Sequence, residues 1–361
     1  MNKKANVLIV TPSLDSSENV SGISSMTNLL VKNHTSVNYI PFIQGKKDNE
    51  KRGIRWLIKQ LYTPFRLMSI LRRDPVSYVH FNIGFEPFSL YRDIIVYSIL
   101  HIRHYPLVLH IHGGRFAQSL PENEILKKII CYFLEKASLI IVLNKAAKKF
   151  ILEQYEFLTD KRIHVLPNVI NSDNQDISAF KKEDNHKLNL LYLGRIDKNK
   201  GLSVILEVLS CLKKRNVDFT FHIGGVGPDT DWFVQECSRK IPHNYVYEGL
   251  VTGDRKQALL SKSHVFLLPS LFEGLPMALL ESMNNWIVPI VTPVGSMPEV
   301  IQHGENGFLV KNAEDIVTVL NILSNDRERL YDMGENAKNT IRVHFSMSSY
   351  LEKLKVALSG L

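Results

Sequence analysis

The sequence predicts an α/β protein built from two doubly wound, Rossmann-like domains. Three observations carry this. Short runs rich in β-branched and aromatic residues alternate with longer amphipathic stretches, the order expected of parallel βαβ units. A polar stretch at 171–185 interrupts the alternation, which then starts again. The length of 361 residues suits two domains of roughly 150–200 residues, each able to bury its own core.

In the first half, strands buried on both faces are expected at 6–11, 39–43, 78–81, 107–112 and 139–143. Helical patterns fall between them at 24–32, 54–72, 91–101, 124–137 and 145–154. Beyond the polar stretch, strands are expected at 190–193, 219–224, 246–247, 265–268 and 288–292. Helices are expected among them at 202–214, 231–240, 255–261 and 278–284. The organisation is therefore a domain at 1–170, a linker at 171–185 and a domain at 186–345. A C-terminal helix at 346–361 is expected to pack back towards the first domain. Open α/β sheets bind ligands at the carboxyl ends of their strands, so the two domains are expected to face each other across a cleft that holds the site.

Composition narrows the class. A hydrophobic share of 45% with 22% charged residues excludes disordered, collagen-like and disulfide-scaffold chains. Cys131, Cys211 and Cys237 lack CxxC or Cys/His clustering, so they read as buried small hydrophobes in a reducing compartment, with no zinc site. No signal peptide is expected, because the apolar run at 5–12 is short and no small-residue cleavage site follows. The longest uncharged stretch, 282–298, contains Pro289, Pro293 and Pro298, so no membrane span is expected.

The net charge of +8 is unevenly spread. Residues 1–170 carry 23 Lys+Arg against 13 Asp+Glu, whereas residues 171–361 carry 21 against 23. An anionic partner is expected for the first half. Within it, 51–73 holds seven Lys or Arg and no acid. Ile54, Leu57, Ile58, Leu61, Phe65 and Met68 recur there at helical spacing, with Arg55, Lys59 and Arg66 on the other side and Pro64 expected to kink or divide the helix. Two readings stand side by side: a helix packing its apolar face on the sheet, and an interfacial helix lying on anionic lipid. No nucleic-acid partner is expected, because no recognition module is present.

Two motifs carry chemistry. Leu-Gly-Arg-Ile-Asp-Lys-Asn-Lys-Gly at 193–201 ends a strand and opens a helix. Gly194 permits a tight turn, Arg195 offers a planar fork of donors and Lys200 a point charge, all suited to a diphosphate. The second motif, Phe-Glu-Gly-Leu-Pro-Met-Ala-Leu-Leu-Glu at 272–281, follows a buried strand. Gly274, Leu275, Pro276 and Met277 are expected to open a helix whose free N–H groups face a ligand. Glu281 on that helix suits a ribose diol, and Glu273 in the loop suits a second polyol. Asp229-Thr230-Asp231 spells a metal-binding DxD, but its place before a helix favours capping.

Together, Gly-Arg-x-Asp-x-x-Lys-Gly at 194–201 and Glu273-x7-Glu281 resemble the retaining glycosyltransferases of the GT-B fold, in particular the large family 4. Pro167-Asn168, Gly-Gly-Val-Gly-Pro at 224–228, Gly-Ser-Met-Pro-Glu at 295–299 and Asn-Gly-Phe-Leu-Val at 306–310 extend the resemblance. One departure is Trp286, where the family typically has Gly in a structural turn.

The resemblance implies a nucleotide-sugar donor (UDP- or GDP-sugar), no cofactor and no metal. It assigns Arg195 and Lys200 to the diphosphate, Glu281 to the ribose, and Glu273 with the 274–277 amides to the donor sugar. Gly22 stands where the family has a glycine loop near the donor, and His112 matches a histidine near the donor sugar. His80 and His110 read as packing or acceptor-side residues. The acceptor implied is a glycan or a polyprenyl-diphosphate-linked oligosaccharide, in bacterial surface polysaccharide assembly. The enzyme is expected in the cytoplasm, at the inner face of the plasma membrane if 51–73 touches lipid. No side chain stands out as a covalent nucleophile. Two rivals stay open on the same fold: a nucleotide-sugar epimerase, and a non-catalytic subunit that binds nucleotide sugar.

Overall fold

A computed structural model describes residues 4–16, 18–45, 47, 50, 53–117, 119–171 and 187–361. The linker expected at 171–185 lies, apart from Asn171, outside the described residues, as do Lys51 and Arg52 at the head of the basic stretch. The chain divides into two compact units, Met1–Val169 with Met347–Leu361, and Ile170–Ser346.

The first unit runs β1 (Asn6–Thr11), α1 (Gly22–Asn33), β2 (Asn38–Ile43), α2 (Ile54–Leu61), α3 (Thr63–Arg73), β3 (Tyr78–Ile83) and α4 (Pro87–Ile102). It continues through β4 (Leu107–Ile111), α5 (Glu124–Lys136), β5 (Leu139–Val142), α6 (Lys145–Gln154) and β6 (Ile163–Val165). The second unit holds β7 (Leu188–Leu193), α7 (Leu202–Lys214), β8 (Phe219–Gly224), α8 (Thr230–Lys240), β9 (Tyr245–Gly249), α9 (Gly253–Lys262) and β10 (Val265–Leu268). It ends with α10 (Met277–Asn284), β11 (Val288–Val291), α11 (Met297–Val300), β12 (Phe308–Leu309), α12 (Ala313–Asn325) and α13 (Arg327–His344). The last helix, α14 (Met347–Leu358), belongs to the first unit.

Each unit carries one six-stranded sheet, ordered β2-β1-β3-β4-β5-β6 and β12-β11-β10-β7-β8-β9. Every pairing in both is parallel. This is the α/β doubly wound architecture expected. Strands covered on both faces need apolar residues at successive positions, and β5, Leu-Ile-Ile-Val, is buried throughout. Helix starts follow side-chain capping: Asn123, Asn144, Asn312 and Asp326 accept first-turn N–H bonds of α5, α6, α12 and α13.

Three expectations need correction, and the choice left open at Pro64, kink or division, falls on division. The helix expected at 54–72 is two helices separated at Tyr62, with Pro64 in the first turn of α3. The break resets the helical phase, so the stripe drawn through 54–68 joins two different faces. Leu67, Ile70 and Leu71 pack on the core instead, while Ile54, Ile58, Leu61 and Phe65 are exposed, Phe65 by 71%. The short strands β6 and β12 were not expected; three and two residues are too few to show a period. Of the cysteines only Cys237 is buried, its thiol pushed up to about 12 by burial, whereas Cys131 and Cys211 are half-buried.

Trp286 adopts φ +56°. A non-glycine residue in that region costs roughly 1–2 kcal/mol. Helix α13 closes over the turn: Gly334 lies so near that a Cβ there would sit 2.4 Å from the Trp286 carbonyl oxygen. The Lys338 ammonium stands 4.0 Å above the indole, a contact that offsets part of the strain. Among the described residues, no helix is long and apolar enough to cross a membrane.

Candidate functional site

In the second unit the loop after β7 folds against the loop after β10. Gly201 makes this approach feasible. Its φ is +75°, and a Cβ there would stand 1.9 Å from the Pro269 carbonyl oxygen, so any other residue must push the loops apart. The Leu271 amide then donates to the Asn199 carbonyl at 2.9 Å. The two motifs read from the sequence are thus brought into contact.

The contact carries charge. Lys200 Nζ donates to Glu273 Oε1 at 2.7 Å, and Ser270 Oγ donates to the same oxygen at 2.8 Å. Both bonds fall on Oε1, so Oε2 keeps its acceptor capacity for a ligand hydroxyl. Arg195 is exposed, and its guanidinium meets no hydrogen-bond or ion-pair partner among the described residues. Its backbone is held: the buried Tyr192 hydroxyl donates to the Arg195 carbonyl at 2.5 Å. Gly194 has open space where a Cβ would stand.

A second glycine shapes the Glu273 loop. Gly295 has φ +58°, and a Cβ there would stand 2.2 Å from the Glu273 carbonyl oxygen. The neighbouring Ser296 amide donates to the Gly274 carbonyl at 2.9 Å. One expectation changes here. Helix α10 starts at Met277 with Pro276 as its cap, so Gly274 and Leu275 precede the helix. Pro276 has no N–H, which leaves Met277 to open the run of free helical amides. Glu281 lies in the second turn of α10, and its Oε1 accepts from Lys256 Nζ of α9 at 2.6 Å. Lys256 and Ser270 were missed in the sequence because nothing marks one lysine or serine among many.

Asp229 stands at the N-cap of α8, as expected, but its side chain makes no cap bond there. Its carboxylate accepts from the Lys198 amide at 2.8 Å, bracing the 194–201 loop. The Thr230 hydroxyl bonds both the amide and the carbonyl of Gly227. Among the described residues, no group of three or more His, Cys, Asp or Glu is placed to hold a metal ion.

The first unit holds Gly22 and His112. Gly22 is the first residue of α1, whose cap Ser21 accepts from the Ser24 amide. His112 follows β4, and its Nε2 lies 2.7 Å from Asn82 Oδ1. Asn82 Nδ2 donates to the Val10 carbonyl, which turns Oδ1 towards the imidazole, so Nε2 of His112 donates. Behind it the rings of His110 and His112 stack at 3.9 Å, and His110 Nδ1 lies 3.1 Å from His80 Nε2. Burial pushes His112 down to about 3, with His80 adding to the shift and Asn168 opposing it. Burial, then His34, pushes His80 down to about 4. His110 is lowered well below its usual value by burial and both neighbours. The stack is therefore neutral near pH 7.

Residues 173–340 match the family model described as Glycosyl transferases group 1. An uncharacterized 41.2 kDa protein in a cps region of Klebsiella pneumoniae is 25% identical over 80% of this chain and 81% of its own length. An alpha-D-kanosaminyltransferase of Streptomyces kanamyceticus is 23% identical over 83% of this chain and 81% of its own length. Among solved structures, Anabaena HepE in complex with UDP and glucose superposes with TM-score 0.74 at 16% identity, covering 99% of this chain and 100% of that chain. At that identity the match speaks for the fold.

Proposed function

Because residues 173–340 of this chain belong to the glycosyl transferases group 1 family, we propose that it is a retaining glycosyltransferase. It takes a UDP- or GDP-sugar donor and a glycan or polyprenyl-diphosphate-linked acceptor, in bacterial surface polysaccharide assembly. The observation that carries the reading is the Lys200 ammonium held 2.7 Å from Glu273 with the Arg195 guanidinium unpaired in the same loop.

The chemistry follows from charge. As the glycosidic C–O bond breaks, negative charge gathers on the leaving diphosphate. Arg195 and Lys200 stabilise it electrostatically, Lys200 from a position that Glu273 already fixes. Glu273 holds Lys200 through Oε1 and offers Oε2 to a donor-sugar hydroxyl, beside Gly274, Leu275, Pro276 and Met277. Glu281 offers Oε2 to the ribose diol, with Lys256 fixing its carboxylate. Neutral His112 hydrogen-bonds a sugar hydroxyl, and Gly22 allows close backbone approach to the donor. No metal is assigned at 229–231, where the Asp229 carboxylate braces the 194–201 loop and the Thr230 hydroxyl bonds Gly227. The HepE complex with UDP supports a uridine nucleotide as the donor's leaving group.

Calorimetric titration with UDP tests the donor half. Glu281→Ala is expected to weaken binding about 10–100-fold, the loss of charge-assisted bonds to two hydroxyls. Unchanged affinity would remove Glu281 from the site. Product stereochemistry tests retention: an α-linked donor must give an α-linked product by NMR, and a β-linked product overturns that assignment.

The exposed Ile54, Leu61 and Phe65, set among Lys59, Arg66, Arg72 and Arg73, support the interfacial reading of 51–73. Such a protein works from the cytoplasmic face of the plasma membrane. Sedimentation with vesicles rich in phosphatidylglycerol is expected to carry the protein down, and Phe65→Asp to release most of it. Equal sedimentation of both proteins would end the membrane assignment.

A further inference from the structure

Beside the histidine stack, the first unit contains a cavity of 180 Å³ that no part of the donor chemistry uses. It opens beyond the carboxyl ends of β1 and β2, where α/β sheets place ligands. Thr11 ends β1, Gln44 follows β2, Asn82 comes from β3, and Arg92 and Asp93 come from α4. We propose that this cavity binds one uncharged sugar ring of the acceptor, held by Gln44, Thr11 and Asp93. Naming the ring an acceptor rests on the glycosyltransferase reading; that a neutral polyol fits does not.

The Gln44 side chain is the first reason. It is 5% exposed, yet neither Oε1 nor Nε2 meets a hydrogen-bond partner among the described residues. Its backbone is pinned, the amide donating to the Thr11 carbonyl at 2.8 Å, so the side chain is held at the cavity wall. Buried amides that lack partners are rare and costly, which marks this one as kept for a ligand. One carboxamide presents a donor and an acceptor side by side, the pattern that two adjacent ring hydroxyls match. The Thr11 hydroxyl, also buried and without a partner among the described residues, adds a third polar point.

Charge selects against an anion. Asp93 is 2% exposed and accepts two bonds from Arg92, at 2.5 and 2.8 Å. The pair is neutral as a whole, with Arg92 giving Nε and Nη2 to Asp93. The carboxylate keeps lone pairs that a hydroxyl can use and a phosphate would be repelled by. Val10 and Ile23 supply an apolar wall for the C–H face of a ring. The volume equals the liquid share of about six waters, the order of one sugar ring. Asn82, which lines the cavity, is also the residue that orients His112, so this ring would lie one side chain away from the imidazole.

Saturation-transfer NMR with the methyl glycosides of glucose, galactose, mannose and N-acetylglucosamine tests the site on the full chain. At least one glycoside is expected to respond to the wild-type protein. Gln44→Leu and Thr11→Val, both close in shape to the native residues, are expected to weaken that response about 10-fold or more. Gln44→Leu is also expected to raise the thermal midpoint, because an unpaired buried amide gives way to an apolar group, so misfolding would be detected rather than mistaken for lost binding. UDP affinity stays unchanged in both variants. No response to any glycoside, or an equal response from Gln44→Leu, overturns the proposal. If UDP fails to bind the wild type while the glycoside response still depends on Gln44, the donor reading falls and the sugar site stands.

Discussion

Lys200→Ala is expected to lower kcat/KM for sugar transfer by about 10²–10³-fold, the usual cost of removing one preorganised group that meets developing charge. The loss should fall mainly on kcat, because charge on the diphosphate grows between ground and transition state. Lys200 has a second role that must be separated from the first. Its ammonium neutralises Glu273, whose side chain is 9% exposed, so its removal leaves a carboxylate short of a partner. Losing one partner of such a pair also costs stability. The comparison with Arg195→Ala resolves this. Arg195 has no hydrogen-bond or ion-pair partner among the described residues, so its removal should slow transfer with little change in thermal midpoint. Glu273→Ala completes the set and should slow transfer as well. Normal transfer by all three variants would end the enzymatic assignment.

Acidification should destabilise the first unit by about 4 kcal/mol between pH 7.5 and pH 5, from His80 and His112 alone. Both histidines have folded pKa values, about 4 and about 3, below the ordinary 6.5. The unfolded chain therefore takes up protons at pH 5 that the native stack refuses. Stability is full above pH 6.5 and is lost as pH falls towards the native values, at about 1.4 kcal/mol per pH unit per histidine. Against a total of about 5–15 kcal/mol this is a large share. His110 and His34, both lowered by burial, act in the same direction. Asp93, raised by burial, opposes them. The measurement is the urea midpoint at pH 7.5 and at pH 5. His80→Leu should flatten the difference by about one proton's worth, and equal midpoints in the wild type would refute the coupling.

Much of the fold was legible because its signals are local. Helix α7, strand β8 and strand β10 stand where they were expected, since each is bounded by glycine, by a polar turn or by a change of period. Helix α12 was equally legible, with Ile316, Leu320 and Leu323 at helical spacing, but was not assigned. A kink or division at Pro64 was expected; the rotation of the apolar face that follows from the division was not. At the candidate site, Arg195, Lys200, Glu273 and Glu281 were singled out from residue type and spacing. Lys256, Ser270, Asn82 and Gln44 were not, because each matters only through what stands beside it.

Residue order alone therefore specifies two parallel sheets and the motif loops at their strand ends, since period, capping and turn chemistry act over a few positions. What folding in three dimensions adds is pairing over distance. Lys200 meets Glu273 across 73 positions only because Gly201 lets one loop press on another. Three histidines that look like ordinary strand residues become a stack that burial keeps uncharged. An ordinary glutamine becomes a buried amide without a partner. Burial sets the energy of each of these groups, and burial is a property of the packed unit rather than of any segment.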